Sequence, residues 1–486
     1  MADEFDAQTS NFLAWFKNLP GATFSDSIEI ADLRSRGAGR GIVATRDIPA
    51  DTTLFTIPRG SIISTETSEV ARRLPQVFDL SAVLEDEGED AGAGLDSWAC
   101  LILVLFHEHL RGGASPWKPY LDVALPPTRA FDTPMFWSGA ELAELQSGPA
   151  AGKIGRAEAE DMFRNKIIPV AREHEREDAS LFPGVGAMTE EELVELAHRV
   201  GSSIMAYAFD LEPEGGEGDE GEEQEGWVED REGRSLMGMV PMADMLNADA
   251  EFNAHINHGD DALTATTLRD IRAGEEVLNY YGPHPNSELL RRYGYVTGRH
   301  ARYDVVEVPW ALIEQAVAEQ LGLPTDVVEK ARGLLDEDEI EDTFVLERTT
   351  PDPGPDGTFP ADAPPVAFTS PPPDLAEQLK AFLKAAKKVR PGSGVEDKRK
   401  RDEVAQSALV RCLGVLEGAY ATTLEQDEAL LAACAEEGNS SSSDRRKRMA
   451  LVVRMGEKRL IREAREVLGA GESSEEGRAK RTKLDG

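Results

Sequence analysis

Residues 239–249 read MVPMADMLNAD, an apolar segment that ends in polar side chains. An apolar stretch from Met239 to Ala243 leads into two polar side chains, Asp244 and Asn247, three residues apart. That spacing fits one turn of helix, which would point a carboxylate and an amide in the same direction. Because such a pair can also be a local cap, the segment becomes informative only together with other segments of the chain.

A glycine-rich segment lies much earlier, at residues 36–44, and reads RGAGRGIVA. Its glycines, Gly37, Gly39 and Gly41, fall within five residues, so the backbone can approach a ligand closely or adopt positive φ. The segment leads into a β-rich run and not into an amphipathic helix, which excludes a dinucleotide-binding fingerprint. A ligand-binding turn and an ordinary structural turn both remain open at this point.

The third segment, residues 277–295, concentrates the tyrosines. Tyr280, Tyr281, Tyr293 and Tyr295 lie within sixteen residues of a chain that has eight tyrosines in all. Because tyrosine combines an apolar ring with a polar tip, such a cluster can line a narrow channel with hydroxyl groups. The alternative is that these rings belong to the core of a sheet.

Two aromatic turns and two segments near the C-terminus complete the pattern. They read SPWKPYL at 115–121, TPMFW at 133–137, YATTLEQD at 420–427 and RMGEKR at 454–459. In this order and spacing, the whole set resembles the SET-domain protein-lysine methyltransferases of the Rubisco large-subunit methyltransferase class. Within that class it is most similar to the group of SET domain-containing protein 6 and the fungal ribosomal lysine N-methyltransferase 4. The resemblance extends over about residues 15–468.

This resemblance implies an α+β fold, in which a β-rich SET domain is split by a helical insertion and followed by an all-helical C-terminal domain. The expected bounds are 1–24 for an N-terminal helix, 25–300 for the SET domain with its insertion at about 66–234, 301–470 for the C-terminal substrate-binding domain and 471–486 for a disordered basic tail. Residues 211–226 hold eight carboxylates, five glycines and no Lys or Arg, which predicts a disordered loop that extends to residue 233.

Local patterns predict several boundaries inside these domains. Apolar residues at helical spacing indicate an opening helix within 11–24, and Asp96 or Ser97 is expected to cap a helix that ends near Leu110. Asp374 is expected to cap another helix after a proline-rich stretch.

The pattern Arg-Asp-Ile-x-Ala occurs twice, at 46–50 and at 269–273, each time between β-rich runs. It predicts the same strand–turn–strand arrangement in both halves of the split β domain.

The resemblance also implies S-adenosyl-L-methionine as the cofactor and assigns the site. In this family a glycine-rich turn holds the cofactor through its backbone, an Asn-His pair contributes its Asn, and a tyrosine before a glycine is catalytic. The implied catalytic residue is Tyr281, which with Trp117 is also expected to contact the substrate. The implied cofactor-binding residues are Ala38, Gly39, Arg40, Tyr207, Asp244, Asn247, Ala248 and Tyr293.

The sequence departs from the family pattern at two of these positions. Ala248 replaces the usual histidine, but that position acts largely through its backbone in the family, so cofactor binding is expected to survive. Tyr207 lies in the stretch where Rubisco-type enzymes have an arginine, and it is expected to make the cofactor contact instead. For Trp117, a position at the substrate cleft and a position in the core remain open.

The net charge of the chain indicates which kinds of molecule it can bind. There are 90 Asp and Glu residues against 52 Lys and Arg residues, a formal net charge of −38. Such a surface repels nucleic-acid phosphates and anionic lipids and attracts basic proteins, although solubility alone would also explain it. We therefore expect a basic, lysine-containing protein substrate and no direct nucleic-acid or membrane partner. The sequence does not determine the oligomeric state, and a monomer is the default expectation.

Neither a metal site nor a disulfide framework is expected. The three cysteines, Cys100, Cys412 and Cys434, lie far apart and form no CxxC pair. No histidine pair has further ligands at suitable spacing. The N-terminal sequence has no signal-peptide pattern, and the longest apolar run is too short to span a bilayer.

The expected function is transfer of a methyl group from S-adenosylmethionine to a lysine of a basic nuclear or ribosomal protein, with a large-subunit ribosomal protein as the substrate that the fungal relatives suggest. A catalytically silent SET-fold module that binds basic peptides is the alternative from another class. Methylation of histidine is a third possibility. The protein is expected in the nucleus, and the cytoplasm remains open.

Overall fold

The computed structural model describes residues 4–79, 95–125, 131–147, 152–211, 236–335, 340–436 and 441–482. From residue 212 onward, the loop predicted at 211–233 lies outside these ranges. Among the helices within them, none is both long and apolar enough to cross a membrane.

The strands of the described ranges are short. They are β1 (Thr23–Phe24), β2 (Ile28–Asp32), β3 (Arg40–Ala44), β4 (Thr53–Pro58), β5 (Ile63–Ser64), β6 (Ala208–Asp210), β7 (Met237–Met239), β8 (Asn247–Ala248), β9 (Ala254–His258), β10 (Ala262–Thr267), β11 (Glu276–Asn279), β12 (Val306–Pro309) and β13 (Thr343–Leu346).

The sheets combine strands from both sides of the helical insertion. One sheet has the order β1-β4-β10-β9 and a second has the order β2-β3-β11-β8. In the second sheet, β8 and β11 pair in parallel, with Asn247 opposite Leu278 and Ala248 opposite Asn279. A third sheet, β5-β7-β6, joins the end of the insertion to both halves. The split β domain predicted from the sequence is therefore confirmed.

The two Arg-Asp-Ile turns contact each other. Ile48 and Ile271 form an antiparallel bridge. The carboxylate of Asp47 accepts the backbone N–H of Ala273 at 2.9 Å, and the carboxylate of Asp270 accepts the backbone N–H of Ala50 at 2.9 Å. The repeated pattern thus makes one reciprocal contact that fastens the two halves of the β domain together.

The helices of the described ranges form the insertion and most of the C-terminal region. They are α1 (Glu4–Lys17), α2 (Glu69–Arg73), α3 (Ser97–Leu110), α4 (Lys118–Ala124), α5 (Gly139–Leu142), α6 (Arg156–Met162), α7 (Ile168–Glu177), α8 (Glu190–Tyr207), α9 (Asn286–Tyr293), α10 (Trp310–Leu321), α11 (Thr325–Arg332), α12 (Pro373–Val389), α13 (Lys398–Gly418), α14 (Leu424–Glu436) and α15 (Ser442–Thr482).

A π-helical turn, Phe163–Ile167, connects α6 and α7. It ends directly before Ile168-Pro169. Proline lacks a backbone N–H, so the regular hydrogen-bond ladder cannot continue through it, and the helix accommodates the missing bond by widening.

Helix α3 lies at the centre of the main hydrophobic core. Its side chains from Ala99 to Phe106 are at most 2 % exposed, so the helix is apolar on all sides. The side chain of Asp96 accepts the backbone N–H of Ala99 at 2.7 Å, which confirms the predicted cap. The same core extends into the sheets of the β domain and thereby joins the insertion to them.

Two further cores fix the C-terminal region. One lies within that region and centres on buried side chains such as Trp310 and Phe382. A smaller core contains Trp137 of the insertion, Leu290 of α9 and Val453 of α15. Because this small core draws on all three parts of the chain, it holds the insertion, the SET domain and the C-terminal region around one place.

The C-terminal region is largely helical, as predicted, and also contains a two-stranded ladder that the sequence analysis did not predict. Strands β12 and β13 pair antiparallel, with Val306 opposite Leu346 and Val308 opposite Phe344. All four of these side chains are buried. Strands this short give too few alternating positions to be separated from loop on sequence alone.

Two local expectations are corrected. The opening helix runs from Glu4 to Lys17 and ends before Pro20-Gly21, so it begins well before residue 11. Asp374 is not a cap, because α12 already begins at Pro373, whose fixed φ suits a first helical position. The expected basic tail at 471–486 stays a prediction.

Candidate active site

The glycine-rich segment forms an open turn between β2 and β3. A 3-10 turn at Arg34–Arg36 is followed by Gly37 at φ 83° and Gly39 at φ 75°, and the backbone N–H of Leu33 donates to the Gly39 carbonyl at 2.7 Å. A Cβ added at Gly37 or Gly39 would have none of the described atoms within 4 Å. The turn therefore presents its backbone beside open space, as a ligand-binding turn requires.

Asn247 connects this turn to the second half of the β domain. Its side-chain amide donates to the Arg40 carbonyl at 3.1 Å and to the Glu276 carboxylate at 2.7 Å. The approach is so close that a Cβ on Gly41 would lie 2.8 Å from both the Asn247 amide and the Glu276 carboxylate. Gly41 is therefore required for packing, whereas Gly37 and Gly39 serve the turn.

Asp244 and Asn247 do not share a helical turn, which corrects the expectation drawn from their spacing. Only Ala243–Met245 is helical, as a single 3-10 turn, and Asn247 begins β8. The turn starts after Met242, a fully buried non-glycine residue at φ 86°. Backbone strain of this kind clusters at functional sites, where the surrounding structure holds it in place.

Asp244 is held from the helical insertion. The hydroxyl of Tyr120, on α4, donates to the Asp244 carboxylate at 2.7 Å. Burial raises the pKa of Tyr120 well above its usual value, and the carboxylate of Asp244 adds to the effect. Tyr120 therefore stays a neutral donor that connects the insertion to the 239–249 segment.

The tyrosine row consists of Tyr281, Tyr293 and Tyr295. The ring centroids of Tyr281 and Tyr293 are 4.8 Å apart, and those of Tyr293 and Tyr295 are 6.0 Å apart. The hydroxyl of Tyr281 donates to the Leu246 carbonyl at 2.8 Å. Burial raises the pKa of Tyr281 well above its usual value, and Tyr207 contributes to the increase, so the phenol is neutral.

The middle residue of the row, Tyr293, differs from the other two in the contacts of its hydroxyl. The hydroxyl of Tyr293 is buried and has no hydrogen-bond partner within the part of the chain that the structure describes. Gly294, at φ 75°, ends α9 directly after Tyr293, and a Cβ there would lie 2.9 Å from the Thr133 backbone nitrogen. A buried hydroxyl without a partner calls for a ligand or water.

The structure thus brings together most of the residues that the sequence assigned to the site. Ala38, Gly39 and Arg40 lie in the turn that Asn247 contacts, Asp244 and Ala248 lie on the same short segment as Asn247, and that segment accepts the hydroxyl of Tyr281, which stacks on Tyr293. Tyr207, the last residue of α8, lies near enough to Tyr281 to affect its pKa. The roles assigned to these residues stay predictions.

Trp117 lies in the core, which corrects the expectation that it contacts the substrate. Its side chain belongs to the main hydrophobic core and is 6 % exposed. Its indole N–H donates to the Ser61 carbonyl at 2.8 Å. A tryptophan enclosed in this way has neither exposed ring area nor a free donor for a substrate.

Four further residues belong to the site, and the sequence analysis assigned them no role. They are Glu276, Tyr120, Tyr295 and His284. Glu276 accepts from Asn247, and Tyr120 donates to Asp244. The hydroxyl of Tyr295 donates to the Ala248 carbonyl at 3.3 Å. The ring centroid of His284 is 6.4 Å from that of Tyr293, and burial lowers the pKa of His284 to about 4, so its imidazole is neutral. Tyr120 and Tyr295 stand in the quoted motifs, which was the available signal.

Within the described ranges, no group of three or more His, Cys, Asp or Glu side chains could hold a metal ion. His107 is fully buried, and its Nδ1 lies 2.5 Å from the Leu181 carbonyl oxygen.

Comparison with known proteins identifies the family. Residues 39–282, about half of the chain, match the family model described as SET domain. The chain belongs to the SET-domain family. Residues 368–461 match the model described as Rubisco LSMT substrate-binding, so the C-terminal region of this SET-domain protein also resembles that class. The bounds predicted for the two domains, 25–300 and 301–470, stay predictions.

Two curated relatives are similar to this chain. Ribosomal lysine N-methyltransferase 4 of Saccharomyces cerevisiae is 35% identical over 336 residues, which are 68% of this chain and 64% of the yeast protein. N-lysine methyltransferase setd6 of Danio rerio is 29% identical over 289 residues, which are 59% of this chain and 56% of the fish protein. The match therefore spans less than two thirds of either relative.

Solved structures confirm the fold. The SET domain of LSMT bound to lysine and AdoHcy has a TM-score of 0.60 and 20% identity, covering 97% of this chain and 92% of that one. Rubisco LSMT bound to AdoMet has a TM-score of 0.60 and 20% identity, covering 96% and 92%. The α+β architecture inferred from the sequence is thus shown over almost the whole chain.

Proposed function

We propose that this SET-domain protein is an S-adenosylmethionine-dependent protein-lysine N-methyltransferase. The observation that carries the proposal is the tyrosine row beside the open glycine-rich turn, with the neutral Tyr281 phenol fixed against the Leu246 carbonyl. The names of the yeast and fish relatives, and the AdoMet and lysine bound to LSMT, support it.

The residues present fit S-adenosylmethionine. Gly37 and Gly39 leave open space along the turn, and the buried Tyr293 hydroxyl needs a partner. The carboxylate of Glu276 accepts the same Asn247 amide that contacts Arg40 at the end of the turn, and a carboxylate there favours a cationic ligand. When bound, the cofactor would supply an electrophilic methyl group on a positively charged sulfur. The backbone of Ala38 to Arg40 and the Asn247 side chain would hold it.

The side chains of the row then act on the substrate lysine. The attacking amine must be neutral, against an ordinary lysine pKa of about 10.4. A channel lined by buried phenols disfavours the ammonium form through desolvation. Because Tyr281 uses its O–H on the Leu246 carbonyl, its oxygen lone pairs remain available to orient the amine and the methyl group. Alignment of this kind is the main source of rate in a one-step displacement, up to about 7–11 kcal/mol at the extreme.

For the substrate, we propose a basic protein of the ribosome or nucleus, with a large-subunit ribosomal protein as the first candidate. The name of the yeast relative supports the ribosomal choice. The formal net charge of −38 supports a basic partner and disfavours direct nucleic-acid or membrane binding. We propose that the protein acts as a monomer.

We further propose that the protein resides in the nucleus, with a share in the cytoplasm. The basic sequence Lys480-Arg481-Thr482-Lys483 near the C-terminus supports this as an import signal. A fluorescent fusion of the full chain should be nuclear, and replacement of these basic residues by alanine should shift it to the cytoplasm. Unchanged nuclear signal in that variant would remove the tail from import.

The proposed function is tested by methyl transfer from radiolabelled S-adenosylmethionine to fractionated cell protein, with purified ribosomal subunits as one fraction. A labelled band that requires Tyr281 is the expected result, and mass spectrometry then gives the substrate and the lysine. Label confined to histidine would contradict lysine transfer. Absence of both label and cofactor binding would favour a silent module that binds basic peptides.

A further inference from the structure

Helix α1 precedes the segment that matches the SET family model, and its first turns lie on the glycine-rich turn. The ring of Phe5 lies between two guanidinium groups, 4.1 Å from that of Arg34 and 3.8 Å from that of Arg40, measured to the ring centroid. Arg34 and Arg40 lie at the two ends of the turn, so the single Phe5 ring contacts both ends.

Arg40 is fixed to α1 by hydrogen bonds as well. Its Nε donates to the Thr9 hydroxyl at 2.8 Å, and a terminal nitrogen donates to the Phe5 carbonyl at 3.1 Å. The backbone carbonyl of the same Arg40 accepts the Asn247 amide. The side chain of Arg40 therefore contacts α1, while its backbone carbonyl contacts the candidate cofactor site.

The helix is a firm support for these contacts. Phe12 and Phe16 are fully buried in the main core, and the indole N–H of Trp15 donates to the Pro116 carbonyl at 2.9 Å. The ring of Phe12 lies 5.9 Å from that of Tyr120, which holds Asp244. The anchoring residues are thus separate from Phe5 and Thr9, which can be changed without opening the core.

The turn itself needs such support. Gly37 and Gly39 give it conformational freedom, and ordering a free loop on ligand binding costs affinity. A loop that is already held in its binding conformation avoids that cost. A cation–π contact stabilises the arrangement of the ring and the guanidinium group, and does so more strongly when it is shielded from water.

We propose that Phe5 and Thr9 are positioning residues that set the affinity for S-adenosylmethionine by holding Arg34 and Arg40, and with them the glycine-rich turn. This rests on the proposed function. It adds a cofactor-affinity element outside the part of the chain that matches the SET family model.

The test is titration calorimetry of the full-length protein with S-adenosylhomocysteine. Phe5→Leu keeps an apolar side chain but removes the aromatic ring, and Phe5→Tyr keeps the ring. Thr9→Val removes the acceptor of Arg40 at nearly constant shape, and Ser10→Ala, on the exposed side of the same helix, is the matched control. We expect the Kd to rise about three- to tenfold in Phe5→Leu and Thr9→Val, and to stay within twofold in Phe5→Tyr and Ser10→Ala.

Steady-state kinetics and melting curves give the second readout. The KM for S-adenosylmethionine should rise with the Kd, while kcat at saturating cofactor stays within twofold. A lower Tm with an unchanged Kd in Phe5→Leu and Thr9→Val would show a structural role only and overturn the proposal. If the wild-type protein itself bound no S-adenosylhomocysteine, the proposed function would fail instead.

Discussion

Replacing Tyr281 by phenylalanine removes one hydroxyl and leaves the ring row intact. The lost bond to the Leu246 carbonyl, 2.8 Å long, contributes about 1 kcal/mol net, and an acceptor left buried and unpaired costs about 1–3 kcal/mol. Because Leu246 is fully buried, the loss should lie at the upper end of the range for an unpaired acceptor, about 3 kcal/mol. The Tm should then fall by at most about 10 °C. The folded state is therefore expected to persist at assay temperature.

The effect on catalysis should be larger than the effect on folding. Without the phenol oxygen the amine and methyl group lose their orienting contact, and a misplacement of about 1 Å costs roughly a hundredfold in rate. We expect kcat to fall about ten- to a hundredfold. The Kd for the cofactor should stay within a few-fold, because Asn247 and the glycine-rich turn are untouched.

Tyr280→Phe is the matched control, assayed by the same radiolabel transfer. The ring of Tyr280 stacks on Phe252 at 4.7 Å between centroids. Its kcat should stay near the wild-type value. A Tyr281→Phe rate within threefold of wild type would remove the phenol from the mechanism, and equal losses in both variants would indicate general damage to this segment.

Three further outcomes are expected. Gly41→Ala puts a methyl group 2.8 Å from two polar side chains of the site, so melting and cofactor titration should both show a clear loss, and an unchanged protein would refute the close packing. Asp427→Asn should destabilise the protein by about 3–5 kcal/mol in urea unfolding, since it removes the buried carboxylate that Arg454 and Lys458 share, although Arg454 keeps its ion pair with Glu144. Burial raises the pKa of Asp304 to about 6 and that of Glu457 to about 8, so the folded state binds the extra protons. Above about pH 7, where the buried histidines with a lowered pKa are neutral in the folded and the unfolded chain alike, stability should therefore fall as pH rises to about 8 and then level off. Glu457→Gln should flatten that decline, and a profile that rises between about pH 7 and 8 would contradict this.

The features that the sequence predicted correctly depend on contacts between residues close together in the chain or on a motif shared with the family. Asp96 was predictable as a cap because its carboxylate acts on a backbone N–H three residues away. The two Arg-Asp-Ile turns were predictable as a repeated device, since each lies between β-rich runs. Tyr281 and Tyr293 were predictable through the resemblance, in which each precedes a glycine.

The remaining features depend on contacts that no local pattern encodes. The Asn247 amide meets the Arg40 carbonyl across 207 residues, and the pairing of β11 with β3 on one side and β8 on the other brings them together. Spacing alone suggested a helical turn for Asn247, and the tertiary pairing overrode it. Trp117 shows the same limit, because an aromatic residue in a turn looks the same in sequence whether its ring is exposed or enclosed.

Ala248 stands where the family resemblance places a histidine, and the contacts of the tyrosine row show why a small side chain is sufficient there. The Leu246 carbonyl accepts from Tyr281, and the Ala248 carbonyl accepts from Tyr295. These two carbonyls are two residues apart on extended backbone, so they point to the same side. Both ends of the row are thus fixed by main-chain atoms, and the side chain at position 248 is not needed for it. Tyr293, between them, keeps the one hydroxyl of the row that has no partner among the described residues, which leaves it free for a ligand.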